Sequence, residues 1–201
     1  MCSESPTMET MRKTIKQIYT ESSKVYIKIC VKIVLILILL LGMATFVNTH
    51  IVRLAVVMGE SMYPTFMDKD VLLINQLNHI HSRGDVVLID ISEKPLPGRY
   101  IVKRIIAVEG DVVNLDYDNN LVYVNGKIES EPYLNFEQSD PMMALDSTQT
   151  TTYHVTAGTV FVMGDNRNNS IDSRNDMLGM IKESDIIGEV FLSLHLQQYF
   201  S

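Results

Sequence analysis

Three short segments carry residue types that could do acyl-transfer chemistry. The first is Gly59-Glu60-Ser61-Met62-Tyr63-Pro64-Thr65. A serine just after a glycine bend can present its hydroxyl while nearby backbone N–H groups face the same point, which gives a nucleophile beside an oxyanion hole. Gly, Ser and Pro in one run can equally make a bare turn. The second segment is Tyr100-Ile101-Val102-Lys103-Arg104-Ile105-Ile106-Ala107-Val108, running into Gly110-Asp111. On a strand Ile101, Lys103 and Ile105 share one face, and a lysine held between isoleucines loses hydration. Desolvation disfavours the ammonium and lowers the pKa from about 10.4 towards the range useful to a general base. Arg104 points to the other face and stays charged. The alternative is a lysine that snorkels from a sheet rim. The third segment, Met163-Gly164-Asp165-Asn166-Arg167-Asn168-Asn169-Ser170-Ile171-Asp172-Ser173-Arg174, is dense in short polar side chains. It predicts a loop braced by its own hydrogen bonds, with Asp172–Arg174 or Asp165–Arg167 as ion pairs and Ser170 as a partner for the lysine.

The elements that must position these segments read as β. Val71–Asn75, Asp85–Ile91, Tyr100–Val108, Leu121–Val124, Lys127–Ile128, Thr159–Met163 and Ile186–Leu194 are short β-rich runs separated by Gly, Pro and Asn breakers. Asn125-Gly126 suits a type I′ hairpin turn. Residues 135–152 are polar and without period, as in a loop, and lie in a small insertion at about 112–156. The fold class expected is mainly β, an antiparallel catalytic domain, preceded by one transmembrane helix.

That helix is predicted from Ile33 to Val52, an uncharged run bounded by Lys32 and Arg53. About 20 residues at about 1.5 Å each span about 30 Å, the thickness of a hydrocarbon core. A cleaved signal peptide would carry a shorter basic head and a small-residue cleavage site after the run. A buried core helix would show a polar face, and Ile33–Leu41 shows none. Arg12, Lys13, Lys16, Lys24, Lys28 and Lys32 precede the run against Glu4, Glu9 and Glu21, whereas the whole chain carries a formal net charge of -7. This positive-inside pattern assigns 1–32 to the cytoplasm, 33–52 to the membrane and 53–201 to the outside. The acidic balance argues against nucleic-acid partners. Both cysteines, Cys2 and Cys30, precede the exported part, which therefore has no disulfide framework and no thiolate metal site.

Taken together, the three segments resemble the boxes of bacterial type I signal peptidases, in the same order. Gly59–Thr65 contains a Ser-Met-x-Pro-Thr box, Lys103-Arg104 leads into Gly110-Asp111, and 164–174 matches Gly-Asp-Asn-Arg-x-x-Ser-x-Asp-Ser-Arg at every fixed position. The resemblance covers about residues 30–194, and the single anchor and short insertion are similar to Gram-positive members. It implies a membrane-bound serine endopeptidase that removes signal peptides from exported preproteins. Ser61 would be the nucleophile, Lys103 the base, and Ser170 the residue orienting the lysine amine, with Asp172 and Arg174 in structural support. Val57, Met58 and Val102 should line shallow apolar pockets, and the resemblance implies small substrate residues at the first and third positions before the cut. Some members carry a serine where this chain has Gly59, so the oxyanion hole here would rely on backbone N–H groups, including that of Ser61.

Such a dyad needs no metal or cofactor, and no histidine; His79 and His81 read as surface residues. The partners implied are signal peptides and the lipid bilayer. Ser61 follows Arg53 by eight residues, at most about 28 Å of extended chain, which keeps the nucleophile close to where a signal peptide emerges. Self-cleaving repressors also pair a Ser-Met box with a Ser–Lys dyad but are soluble. A catalytically dead homologue would lack the serine or the lysine.

Overall fold

The computed structural model describes residues 8–134, 142–145 and 150–195. The chain divides into two units, Met1–Val47 and Asn48–Ser201. The first is helical. One helix, α1, runs Met8–His50, and its part from Ser23 to His50 is long and apolar enough to cross a membrane. Its Leu, Ile and Val side chains from Ile33 to Val47 are exposed among the described residues. The helix stops two residues before the end expected from charge alone, because Val52 already begins a strand.

The second unit is antiparallel β. Its strands are β1 (Val52–Val56), β2 (Val71–Asn75), β3 (Val86–Asp90), β4 (Tyr100–Ala107), β5 (Val112–Asp116) and β6 (Leu121–Val124), followed by β7 (Lys127–Ile128), β8 (Thr152–His154), β9 (Thr159–Met163), β10 (Ile181–Lys182) and β11 (Ile186–Leu194). They form a seven-stranded sheet in the order β1-β2-β11-β3-β4-β9-β10 and a four-stranded sheet in the order β7-β6-β5-β8. The smaller sheet lies within the stretch read as an insertion. Most of the polar loop expected at 135–152 falls outside the described residues; 142–145 carries no regular structure, and β8 begins at Thr152. The turn between β6 and β7 has positive φ at both Asn125 (52°) and Gly126 (75°), as a type I′ turn requires.

The central strands of the large sheet are buried on both faces, so they read as continuous apolar runs rather than alternating ones. Val87 and Ile89 of β3 join Ile105, Val160 and Val162 in one core, whereas Val86 and Leu88 join Val57, Met62, Leu72 and Ile74 in another. On β9, Phe161 and Met163 face a third core, shared with Val113, Leu115, Val122 and Val124 of the smaller sheet. A register shift between Ile105 and Ala107 reorients the end of β4, so that Ile106 and Ala107 enter that third core while Ile105 remains in the first. The three cores fix β3, β4 and β9 rigidly, and β4 carries the lysine.

Candidate active site

Lys103 is 3 % exposed, and its Nζ donates to Ser61 Oγ at 2.7 Å and to the Val102 carbonyl at 3.0 Å. Burial lowers the lysine pKa from 10.5 to about 8; Asp172 and Asp165 pull the other way, and desolvation wins. The amine is thus still mostly charged near neutral pH but loses its proton from about pH 8 rather than 10.5, and it is already in contact with a hydroxyl.

Ser61 sits in the turn that follows β1. Gly59 enters that turn at φ 88°, a conformation that would strain a serine, and its N–H donates to Asp68 Oδ1 at 2.8 Å. The Gly59 amide is therefore committed to shaping the turn and is not free to serve an oxyanion. The turn closes with Tyr63 N–H to Glu60 O and Phe66 N–H to Met62 O, both 3.0 Å, while buried Met62 anchors it in a core.

The loop 164–174 lies directly against Ser61. Asn166 N–H donates to the Ser61 carbonyl at 3.1 Å. A Cβ at Gly164 would lie 2.5 Å from that same carbonyl oxygen and would overlap Ser170 Oγ, so only glycine permits this approach. Ser170 is buried, and among the described residues its hydroxyl has no hydrogen-bond partner. The expected bond from Ser170 to the lysine is not formed in this geometry, because the amine is turned to Ser61 and to the Val102 carbonyl.

Three arginine–carboxylate forks hold the loop. Arg174 pairs with Asp172 through Nε to Oδ1 and Nη2 to Oδ2, both 2.8 Å, with both side chains fully buried. Asp172 Oδ2 also accepts Gly164 N–H at 3.1 Å, and Arg174 Nη2 donates to the Arg167 carbonyl at 2.6 Å. The alternative pair Asp165–Arg167 does not form. Arg167 instead clamps Glu131 at 2.5 and 3.2 Å, and Asp165 takes Arg104 at 2.9 and 2.6 Å. Sequence reasoning left Arg104 as a charged residue on the opposite face. The structure shows it nearly buried, stacked 3.9 Å over the Tyr133 ring and bonded to the Gly84 carbonyl. Thr65 donates to Asp165 Oδ2 at 2.5 Å, so Asp165 joins the three segments. The signal for Thr65 and Arg104 was present, since both stand in the matched boxes. Nothing local pointed to Glu131 or Tyr133.

A cleft of about 420 Å³ opens beside the dyad. Val57, Met58 and Val102 all line it, along with Leu54, Val56 and Leu88. Val57 is buried and Met58 is almost fully exposed at the mouth. Among the described residues no group of three or more His, Cys, Asp or Glu side chains is arranged to hold a metal ion.

Comparison with known proteins places these residues in context. The family model for signal peptidase, peptidase S26, matches residues 30–195. "Signal peptidase I P" of Bacillus subtilis subsp. natto is 37 % identical over 150 residues, covering 71 % of this chain and 76 % of its own. "Signal peptidase I" of Bacillus amyloliquefaciens is 35 % identical over 167 residues, covering 79 % and 83 %. The crystal structure of a signal peptidase I from Enterococcus faecalis V583 is 30 % identical, covers 55 % of this chain and 97 % of its own, and has a TM-score of 0.44.

Two outcomes follow from the geometry. A lysine whose folded pKa is depressed destabilises the fold fully below about 8, and this cost disappears as pH rises towards 10.5. The shift corresponds to about 3 kcal/mol. Lys103→Met should therefore raise stability near neutral pH by up to about 3 kcal/mol, and it should remove the wild-type gain between pH 8 and 10.5 in urea titrations. A Met variant with unchanged stability and pH dependence would mean the amine is not desolvated. Gly164→Ala should cost about 1–3 kcal/mol from overpacking. In a crystal structure of the variant, the Ser61 turn should be displaced from loop 164–174; an unmoved turn at wild-type stability would refute the tight joint.

Proposed function

The chain belongs to the signal peptidase family of peptidase S26, and from that premise we propose that it is a signal peptidase I working by a Ser61–Lys103 dyad. The observation that carries the mechanism is a buried amine of lowered pKa 2.7 Å from a serine hydroxyl in an apolar cleft. Neutral Lys103 accepts the Ser61 proton as Oγ forms a bond to the scissile carbonyl carbon. Backbone N–H groups of the turn, that of Ser61 among them, receive the oxyanion. Collapse of this intermediate breaks the C–N bond, and the lysine ammonium returns the proton to the leaving amine. Lys103 then activates a water, which hydrolyses the acyl-enzyme and restores Ser61.

Ser170 is proposed as a positioning residue. Its unpartnered hydroxyl is available to the amine once Ser61 turns to substrate. Asp172 and Arg174 hold the loop in register, and Val57, Met58 and Val102 receive small apolar side chains before the cut. The protein is anchored by its apolar helix, and we place residues 1–32 in the cytoplasm and the β unit outside, on the strength of the basic head.

Ser61→Ala and Lys103→Ala should each abolish preprotein cleavage, and the double variant should be no worse, because the two act as a unit. Ser170→Ala should lower kcat/KM by about 5- to 150-fold, the loss of one buried hydrogen bond, and Ser170→Thr should retain more. The rate should climb about tenfold per pH unit below about 8 and level off above it, following neutral Lys103. Substantial activity in either dyad variant would sink the mechanism. Orientation is tested separately. Protease added to intact protoplasts should digest the region after Arg53 and spare residues 1–32, and the reverse pattern would overturn the topology.

A further inference from the structure

The cleft that holds Ser61 and Lys103 ends in two arginines that the proposed chemistry does not use. Arg53, on β1, and Arg99, just before β4, both line it. Tyr100 stands between them: the Arg53 guanidinium carbon lies 4.5 Å from the ring centroid and that of Arg99 5.1 Å. The Arg53 contact crosses from β1 to β4.

Among the described residues, these guanidiniums are, apart from Lys103, the only charged side chains lining the cleft, and no carboxylate lines it. Arg99 touches Asp90 at 3.3 Å in a pair whose arginine is mostly exposed. Among the described residues no carboxylate pairs with Arg53. Two cations at one end of an apolar groove, in a protein of net charge -7, make a local field of the opposite sign to the whole. Arginine forks match carboxylates in shape as well as charge, and stacking on an aromatic ring leaves their outer N–H groups free to bind.

The place of this end along a bound peptide follows from strand geometry. From Lys103 back to Tyr100 is three residues of β4, about 10 Å at about 3.3 Å each. An extended peptide advances by the same step. Val57 and Val102, the proposed walls for residues before the cut, come between the dyad and the arginines in chain order. We propose that Arg53 and Arg99 form a subsite for an acidic side chain, roughly the fourth to sixth residue before the scissile bond, with Tyr100 holding both guanidiniums in place. The subsite rests on the peptidase reading given above.

The test uses the full-length protein in neutral detergent and a set of peptides identical around the cut. A parent peptide carries alanine at about the third to sixth positions before the cut, and each of these is replaced singly by Glu or Lys. The wild-type protein should favour Glu over Lys by about 5- to 10-fold in KM at one or two adjacent positions, the effect of one partly exposed ionic contact. Arg53→Glu with Arg99→Glu should reverse that order; should this variant fail to fold, Arg53→Gln and Arg99→Gln should each flatten it. A purely structural clasp over Tyr100 would change melting temperature and leave substrate order untouched. Equal KM for Glu and Lys peptides in the wild type, or an unchanged preference in the variants, overturns the subsite, as it would if the arginines served lipid headgroups. Failure of the wild type to cleave even the parent peptide would instead overturn the peptidase reading.

Discussion

The contact on which the rest of the structure depends is a neutralisable amine buried against a hydroxyl. Lys103 beside Ser61 is unfavourable taken alone, since its depressed pKa marks about 3 kcal/mol of destabilisation at neutral pH. A domain of ordinary stability can carry such a cost only if the surroundings cannot relax. A lysine on a compliant edge would snorkel to water and recover its usual pKa. Here β4 is paired with β3 on one side and β9 on the other, and cores press on both faces of those strands. The amine stays dry because the strand that carries it cannot move.

The serine is held by different means. Its turn has no regular secondary structure, and its position is set by a loop that meets it through backbone: Asn166 N–H on the Ser61 carbonyl, and Gly164 in the space where any side chain would collide. That loop is in turn set by buried ion pairs, Asp172 with Arg174 and Asp165 with Arg104. Buried pairs of this kind contribute little net stability, because desolvation offsets attraction. What they supply is geometry. Each fork has one low-energy arrangement, and a one-residue slip of the loop would leave two buried charges unmatched. Asp165 accepts from both Thr65 and Arg104, so one carboxylate ties the serine segment, the lysine strand and the loop together.

Much of this was legible in the sequence, for local reasons. β2, β6, β7, β9 and β11 have the bounds expected from their β-branched runs, and the Asn125-Gly126 turn followed from its φ requirement. β1 was hidden because Val52–Val56 continues the apolar run of the helix with only Arg53 to mark a change. β5 and β8 were missed because they are short, five and three residues, so that the alternation of Val113 and Leu115 with Asn114 and Asp116 spans too few positions to stand out. At the site, the pairing within 164–174 could be narrowed to two candidates but not decided. The choice depends on Glu131 and Arg104, which come from distant parts of the chain and draw Arg167 and Asp165 away from each other. Arg104 was placed on the correct face, but its burial under Tyr133 is a property of the assembled fold that strand alternation does not encode.

Burial links the chemistry to the shape of the cleft. The same apolar walls that desolvate Lys103 also exclude polar groups from the space next to Ser61. A substrate residue entering there must be uncharged, or it leaves a buried polar atom unpaired, and it must be small enough to bring its carbonyl against Oγ. A charged neighbour close to the amine would stabilise or repel the ammonium and move its pKa, on which the proposed mechanism depends. On the proposed mechanism, then, the cleft cannot recognise charge near Ser61 and Lys103 without disturbing the amine that serves as base. Any electrostatic discrimination has to act several residues away, at the end where Arg53 and Arg99 flank Tyr100, far enough from Lys103 for solvent to screen the two fields from each other.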